Sequence, residues 1–225
     1  MAKAARAGQV KTRLSAVYPP DVVLDLYRAL VEDSIGVATS VGASVAVVCP
    51  AGDSEEIRAW LPSDVLIVPQ HGRGLADGLN SCFDVLCDRS GRRVIAFNSD
   101  SPHLPPQVLE SAFAALVDHD VVIGPCDDGG YYLVGVTRPH AGLFDPRAMG
   151  TGSAFQTLIA RTEQLRLLAA VTSEQYDIDL PHDLIRLARE LARQPERAPR
   201  TAAVLATWPT ATTGPTVDVV RRGKV

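Results

Sequence analysis

Residues 94–102 read Val-Ile-Ala-Phe-Asn-Ser-Asp-Ser-Pro. Four apolar residues give way abruptly to polar ones, and Pro102 closes the run. A short apolar run bounded by turn residues predicts a buried strand over Val94–Phe97. An acid directly after such a strand, here Asp100, stands at the carboxyl edge of a sheet, where open α/β sheets bind ligands. The pattern recurs on both sides. Residues 44–48, 65–68, 121–123, 131–136 and 166–171 read as further strands. Helices are predicted over 21–38, where Val22, Val23, Leu26, Leu30 and Val31 recur at helical spacing, and from the capping box at Asp53–Glu56 to Leu61. Four more are predicted over 75–87, 105–117, 153–163 and 183–193. Strands alternating with helices imply β-α-β units, hence an α/β sandwich around a mostly parallel sheet.

With 225 residues the chain can build one sizeable core. Its 22 basic and 26 acidic residues give a formal charge of −4, which offers no drive towards nucleic acid or an anionic membrane. No apolar stretch approaches the roughly 20 residues of a membrane span. The opening Met-Ala-Lys-Ala-Ala-Arg has no apolar core of a signal peptide behind it. Cys49, Cys82, Cys87 and Cys126 have neither CxxC nor zinc spacing and read as thiols of a reducing compartment, so a cytoplasmic protein is expected. From Trp208 the chain turns to Thr, Pro, Gly and Val without a usable period. The expectation is one domain over 1–207 and a disordered tail over 208–225.

Four polar segments fall at predicted loops. Residues 2–14 carry Lys3, Arg6, Lys11 and Arg13 around Gly8, with Thr12 among them. Glycine admits an anion to backbone N–H groups, and Lys and Arg neutralise phosphate oxygens; a flexible basic terminus would read the same. The second is Asn98–Pro102, where Asp100 can hold a divalent cation through oxygen or cap the next helix. The third, Gly124–Gly135, sets Asp127 and Asp128 beside Gly129, Gly130, Tyr131 and Tyr132. Asp-Gly-Gly alone signals a hairpin, yet the acid pair could bind sugar hydroxyls, orient an acceptor or serve as general base. The fourth is Tyr176–Leu184, where alternation puts Asp177 and Asp179 on the same side of an extended segment; Asp179 could equally cap a helix begun by Pro181. Together, a basic glycine loop, an acid after a strand and a late Asp-x-Asp suit a nucleoside diphosphate or triphosphate with its metal.

In AKAARAGQVKTRL (2–14), NSDSPHLP (98–105), GPCDDGGYYLVGV (124–136) and DIDLPHDL (177–184), the chain resembles a bacterial family of GT-A fold. That is the nucleotide-diphospho-sugar transferase fold. The family's members are regarded as glycosyltransferases, some in arsenosugar biosynthesis. The likeness runs from Ala2 to about Leu205. It extends more loosely to 2-phospho-L-lactate guanylyltransferases and molybdenum-cofactor nucleotidyltransferases. The resemblance implies a single-domain, three-layer GT-A-like sandwich. It implies that Lys3, Gly8, Lys11, Thr12 and Arg13 meet the nucleotide phosphates and that Asp100 and Asp179 ligate Mg²⁺ or Mn²⁺. Asp127 and Asp128 would act on the acceptor, in a sugar or acceptor pocket with Ser99, Gly129, Gly130, Tyr131 and Asp177. Residues 70–75 would lie near the base.

The chain also departs from the family pattern. Only Met1 precedes the segment that a hydrophobic first strand leads into, so that strand is expected to be truncated. Ala5 replaces a proline, Asn98 a glycine and Leu180 a threonine. Met149-Gly-Thr-Gly-Ser153 stands where Trp-Ser-Thr is usual. The first expectation is therefore a metal-dependent glycosyltransferase using a nucleotide sugar and a small-molecule acceptor. A nucleotidyltransferase joining an NTP to a phosphorylated small molecule, with pyrophosphate release, is the second. A non-catalytic nucleotide-binding protein is the third. A nucleic-acid partner is not expected.

Overall fold

The computed structural model describes residues 1–87 and 92–208. Strands β1 (Ala46–Pro50) and β2 (Leu66–Gln70) form a parallel pair, with Val47 opposite Ile67. Strands β3 (Val94–Phe97), β4 (Val121–Pro125), β5 (Tyr131–Val136) and β6 (Ala169–Val171) form a second sheet in the order β3-β5-β4-β6. β4 and β6 are parallel, and β5 runs against both β3 and β4. The reversal comes from the turn after β4. Cys126 N–H donates to Gly130 O, Gly129 N–H to Cys126 O, and Gly129 takes a positive φ of 85°. The hairpin signal in Asp-Gly-Gly is thus real.

Helices cover both faces. Along β4, Val121 and Ile123 point to one side, joining Leu79 and Phe83 of α4 (Gly74–Leu86) and Leu158 of α6 (Ala154–Gln164). Val122 points to the other, against Leu109 and Ala112 of α5 (Pro106–Ala115) and Val37 and Ala38 at the end of a long helix over Pro20–Ser40. A strand buried on both faces needs apolar residues throughout, which explains the unbroken run Val-Val-Ile at 121–123. β1 follows the same rule. Val48 joins the first cluster, while Val47 and Cys49 meet Tyr27 and Val31 of the long helix and Ile57 of the helix Ser54–Trp60.

With the turn of helix at Thr12–Ser15 counted as α1, the long helix is α2 and Ser54–Trp60 is α3. Two further helices follow: α7 (Pro181–Leu191) packs Leu184, Leu187 and Leu191 with Leu14, Leu26 and Leu30, and α8 (Pro199–Thr207) adds Ala202, Val204 and Leu205 to the same cluster. α8 was not foreseen from the sequence. Trp208, where the tail was expected to start, is buried edge-to-face on Tyr18 with ring centroids 5.1 Å apart. Residues 209–225 lie outside the described part of the chain. Among the described residues no helix is long and apolar enough to cross a membrane.

Met1 and Ala2 lie between the two sheets. Ala2 N–H donates to Val48 O of β1 at 3.0 Å, and the Met1 ammonium donates to Phe97 O of β3 at 3.0 Å. These two residues thus bridge β1 and β3 through their backbone. Burial pushes the Met1 ammonium below its ordinary pKa.

α8 starts without a side-chain cap of its own, since Ala198 precedes it. Asp33, 3% exposed on α2, supplies one from outside. Its carboxylate accepts the N–H of Thr201 at 2.7 Å and of Arg200 at 3.2 Å. Replacing it strands two helix N-terminal donors. Asp33→Ala is expected to lower stability by about 2 kcal/mol, read as a fall in urea midpoint at unchanged slope. Asp33→Asn, which keeps one acceptor, is expected to lose less.

Candidate active site

The opening segment is held along its length rather than loose. The Tyr27 hydroxyl accepts Lys3 N–H at 2.8 Å and donates to Lys3 O at 3.0 Å. Asp53 accepts Ala4 N–H at 2.9 Å and pairs with Arg6 at 2.9 Å, and Glu56 grips Arg6 from the other side. Arg6 is therefore engaged at the surface. Lys11 then turns the chain in the left-handed region, φ 46° and ψ 47°. Few non-glycine residues adopt this conformation, and it costs roughly 1 kcal/mol or more.

That turn delivers the Lys11 ammonium to the two acids expected as metal ligands. It lies 2.8 Å from Asp100 and 3.0 Å from Asp179, and donates to Ile178 O at 2.5 Å. Its side chain is 5% exposed. Burial alone would lower its pKa, but the two carboxylates outweigh that, and the net shift is upward. Arg13 adds a longer contact to Asp179 at 3.3 Å. The backbone sews the same loops together: Ile178 N–H donates to Asp100 O at 2.9 Å and the Ser101 hydroxyl to Tyr176 O at 3.0 Å. Asp179 does not cap α7. Asp183 does so, accepting Leu180 N–H at 2.7 Å and Asp179 N–H at 3.2 Å.

The β4–β5 turn reaches the same place. Asp127 N–H donates to Gln175 O and Gln175 N–H to Pro125 O, both at 3.0 Å, which docks the turn on the Asp177–Asp179 segment. Asp128 accepts Gly130 N–H at 2.7 Å, which fixes its carboxylate. At Gly129 a Cβ would strike the Gly152 carbonyl oxygen, so only glycine lets the loop 149–152 close over the turn. Asp127, expected beside Asp128, turns away from it: it pairs with Arg186 at 3.1 Å, and that guanidinium lies 3.6 Å over the Tyr176 ring.

These segments enclose one cavity of about 880 Å³. Of the residues singled out in the sequence, Lys3, Lys11, Thr12, Arg13, Ser99, Asp100, Asp128, Gly130, Tyr131, Asp177 and Asp179 line it. Gly8, Asp127 and Gly129 do not. Gly8 and Gly129 shape the backbone with positive φ instead. Gln70, Gly74 and Leu75 represent the loop expected near a base. Tyr27 and Leu79 also line the wall and carry no sequence signal for it; Gly150–Gly152, from the stretch that departs from the family pattern at 149–153, lines it too. Asp177 is the outlier among the acids. Burial first, then the charges of Asp179, Asp100 and Asp128, push its carboxyl up to about 7, with Lys11 partly offsetting them.

The donors around the cavity are oxygens, which suit a hard divalent cation. Among the described residues, however, no three His, Cys, Asp or Glu side chains are gathered so as to hold an ion by themselves. Asp100 and Asp179 fit such an ion if a bound ligand brings further oxygens.

The family model described as an uncharacterised protein conserved in bacteria (DUF2064) matches residues 35–151, which hold β1 to β5 and the loop over the turn. Among solved structures, a protein from Desulfovibrio desulfuricans G20, provisionally named a nucleotide-diphospho-sugar transferase, superposes with a TM-score of 0.80. It is 29% identical, with 91% of each chain covered. The chain has the α/β fold of that protein. A homologue of Mycobacterium tuberculosis Rv0371c from Mycobacterium sp. strain JC1 matches at a TM-score of 0.50 and 17% identity, over 73% of this chain and 84% of that one. At that identity the likeness is one of fold. No curated protein matches the sequence.

The Asp177 carboxyl gives a pH signature. With its folded pKa at about 7, above the ordinary carboxylate range, the folded state keeps a proton that the unfolded state has released. Its burden on stability therefore grows as pH rises through that window and is full above pH 7. Asp177→Asn is expected to stabilise the ligand-free protein at pH 8 by on the order of 1–2 kcal/mol, allowing for solvent at the cavity mouth. The gain should vanish towards pH 4. Thermal melts across that range check it, and a gain independent of pH would contradict it.

Proposed function

The chain belongs to the DUF2064 family of uncharacterised bacterial proteins, and we propose that it is a nucleotide-diphospho-sugar transferase acting on a small-molecule acceptor. One observation carries the reading: a basic opening loop meets four carboxylates in a single cavity of about 880 Å³. That volume lies within the usual range for small-molecule and cofactor sites. The name given to the 29%-identical Desulfovibrio protein supports the same class.

On this reading Lys3, Lys11 and Arg13 receive the diphosphate of the donor. Mg²⁺ or Mn²⁺, held by Asp100 and Asp179 with phosphate oxygens, would neutralise the departing nucleoside diphosphate. Val48, Leu75, Leu79 and Gln70 in the lining suit a flat base. Asp128 is held by Gly130 N–H and can orient an acceptor hydroxyl. Asp177, which lines the same cavity, can take that hydroxyl's proton. Asp127, paired with Arg186 and outside the cavity lining, is assigned no role in the transfer on this reading.

The test is a thermal-shift panel of UDP-, GDP-, CDP- and dTDP-sugars against the free NTPs, each with and without Mn²⁺. A true donor at a hundredfold its Kd adds about 2.7 kcal/mol, or roughly 5–10 °C for a domain of this size. The expected result is a metal-dependent shift with one nucleotide sugar, and Asp100→Ala should abolish turnover while keeping the fold. A shift with an NTP alone, followed by pyrophosphate release, would replace this reading with nucleotidyl transfer. No shift with any member would leave a non-catalytic protein.

A further inference from the structure

We propose that Lys11 is a built-in counter-ion that keeps free divalent metal out of the site until a phosphate-bearing ligand draws its ammonium away. The nucleotide in this proposal rests on the transferase reading; the exclusion of metal does not. The ammonium sits between Asp100 and Asp179 at 2.8 and 3.0 Å, and its third donor is taken by Ile178 O. It is therefore a lysine with all its hydrogen bonds satisfied inside the protein. The left-handed backbone at Lys11 holds it there, a conformation that the surrounding contacts must over-determine.

A divalent ion at Asp100 and Asp179 would need the same oxygens. Two cations cannot share one pair of carboxylates at contact distance without strong repulsion. The site offers an incoming ion no separate cage among the described residues. Phosphate oxygens change the balance twice over. They give the ammonium partners as good as the carboxylates it leaves, and they supply the ligands that the protein lacks. Arg13, 3.3 Å from Asp179, can make the same transfer. Metal and phosphate ligand then bind with positive coupling, which is reciprocal by linkage. Asp128 lines the same cavity as Asp100 and Asp179, so the pocket keeps an attraction for a cation once Lys11 has moved.

The experiment titrates Mn²⁺ alone into the ligand-free protein, reading bound metal from the loss of its free electron-paramagnetic signal. Lys11→Met is expected to bind Mn²⁺ at least tenfold more tightly than the wild type, and Lys11→Met/Asp179→Asn to lose that gain. Equal Mn²⁺ affinity of wild type and Lys11→Met would overturn the proposal. Should Lys11→Met not fold, the wild type decides: Mn²⁺ alone must leave the backbone NMR signals of Asp100 and Asp179 sharp, and broadening by Mn²⁺ alone overturns the proposal. Adding a nucleoside diphosphate separates the two readings. If none promotes Mn²⁺ binding to the wild type, the nucleotide reading fails while the difference between wild type and Lys11→Met stands.

Discussion

The contact on which the rest depends is the Lys11 ammonium between Asp100 and Asp179. It joins three parts of the chain that are far apart in sequence: the opening loop, the end of β3, and the segment that leads into α7. Each acid alone would repel the other, and Asp177 and Asp128 would add to the repulsion. The buried Lys11 ammonium lets Asp100 and Asp179 share the cavity with Asp128, while the crowding pushes the Asp177 carboxyl up to about 7. Breaking such a pair on one side is costly because the remaining charge stays buried without its partner. The site is therefore an electrostatic assembly resting on a hydrophobic scaffold.

The scaffold contributes position. β3 ends at the Asn98–Ser101 loop, and the β4–β5 hairpin swings Asp128 to the same edge. Backbone bonds from Ile178 to Asp100 and between Gln175 and residues 125–127 lock the third segment in register with both. Such bonds do not depend on which side chains are present, so the loops keep their places while the side chains specialise. Asp183 holds the start of α7 and leaves the Asp179 carboxylate free for Lys11. The opening loop, which lacks regular structure before Lys11, borrows its rigidity from Tyr27 and Asp53.

Much of this was legible in the sequence. β3 and β5 fall where their apolar runs end in turn residues, and the strand-then-acid pattern located Asp100 at the sheet edge. The direction of β5 was not legible, because an apolar run has no orientation until its turn is known. α8, which starts at Pro199, was missed because it gains its cap from Asp33, a residue 166 positions earlier (roughly the whole length of a domain). Asp127 and Asp128 are equivalent in the sequence. Only the pull of Arg186 on one and of Gly130 N–H on the other separates them. Tyr27 lies on a helix whose spacing marks it as core, and nothing in that spacing reveals that its hydroxyl ties down the opening loop.

The most direct measurement is a double-mutant cycle between Lys11 and Asp179, with stability read by urea unfolding of the ligand-free protein. Lys11→Met, Asp179→Asn and the double variant complete the cycle. If the ammonium organises the site as described, the two substitutions are strongly non-additive, with a coupling of about 1–3 kcal/mol. Additivity within about 0.5 kcal/mol would mean that the opening loop and the Asp177–Asp179 segment are not held by this charge, and would contradict the account.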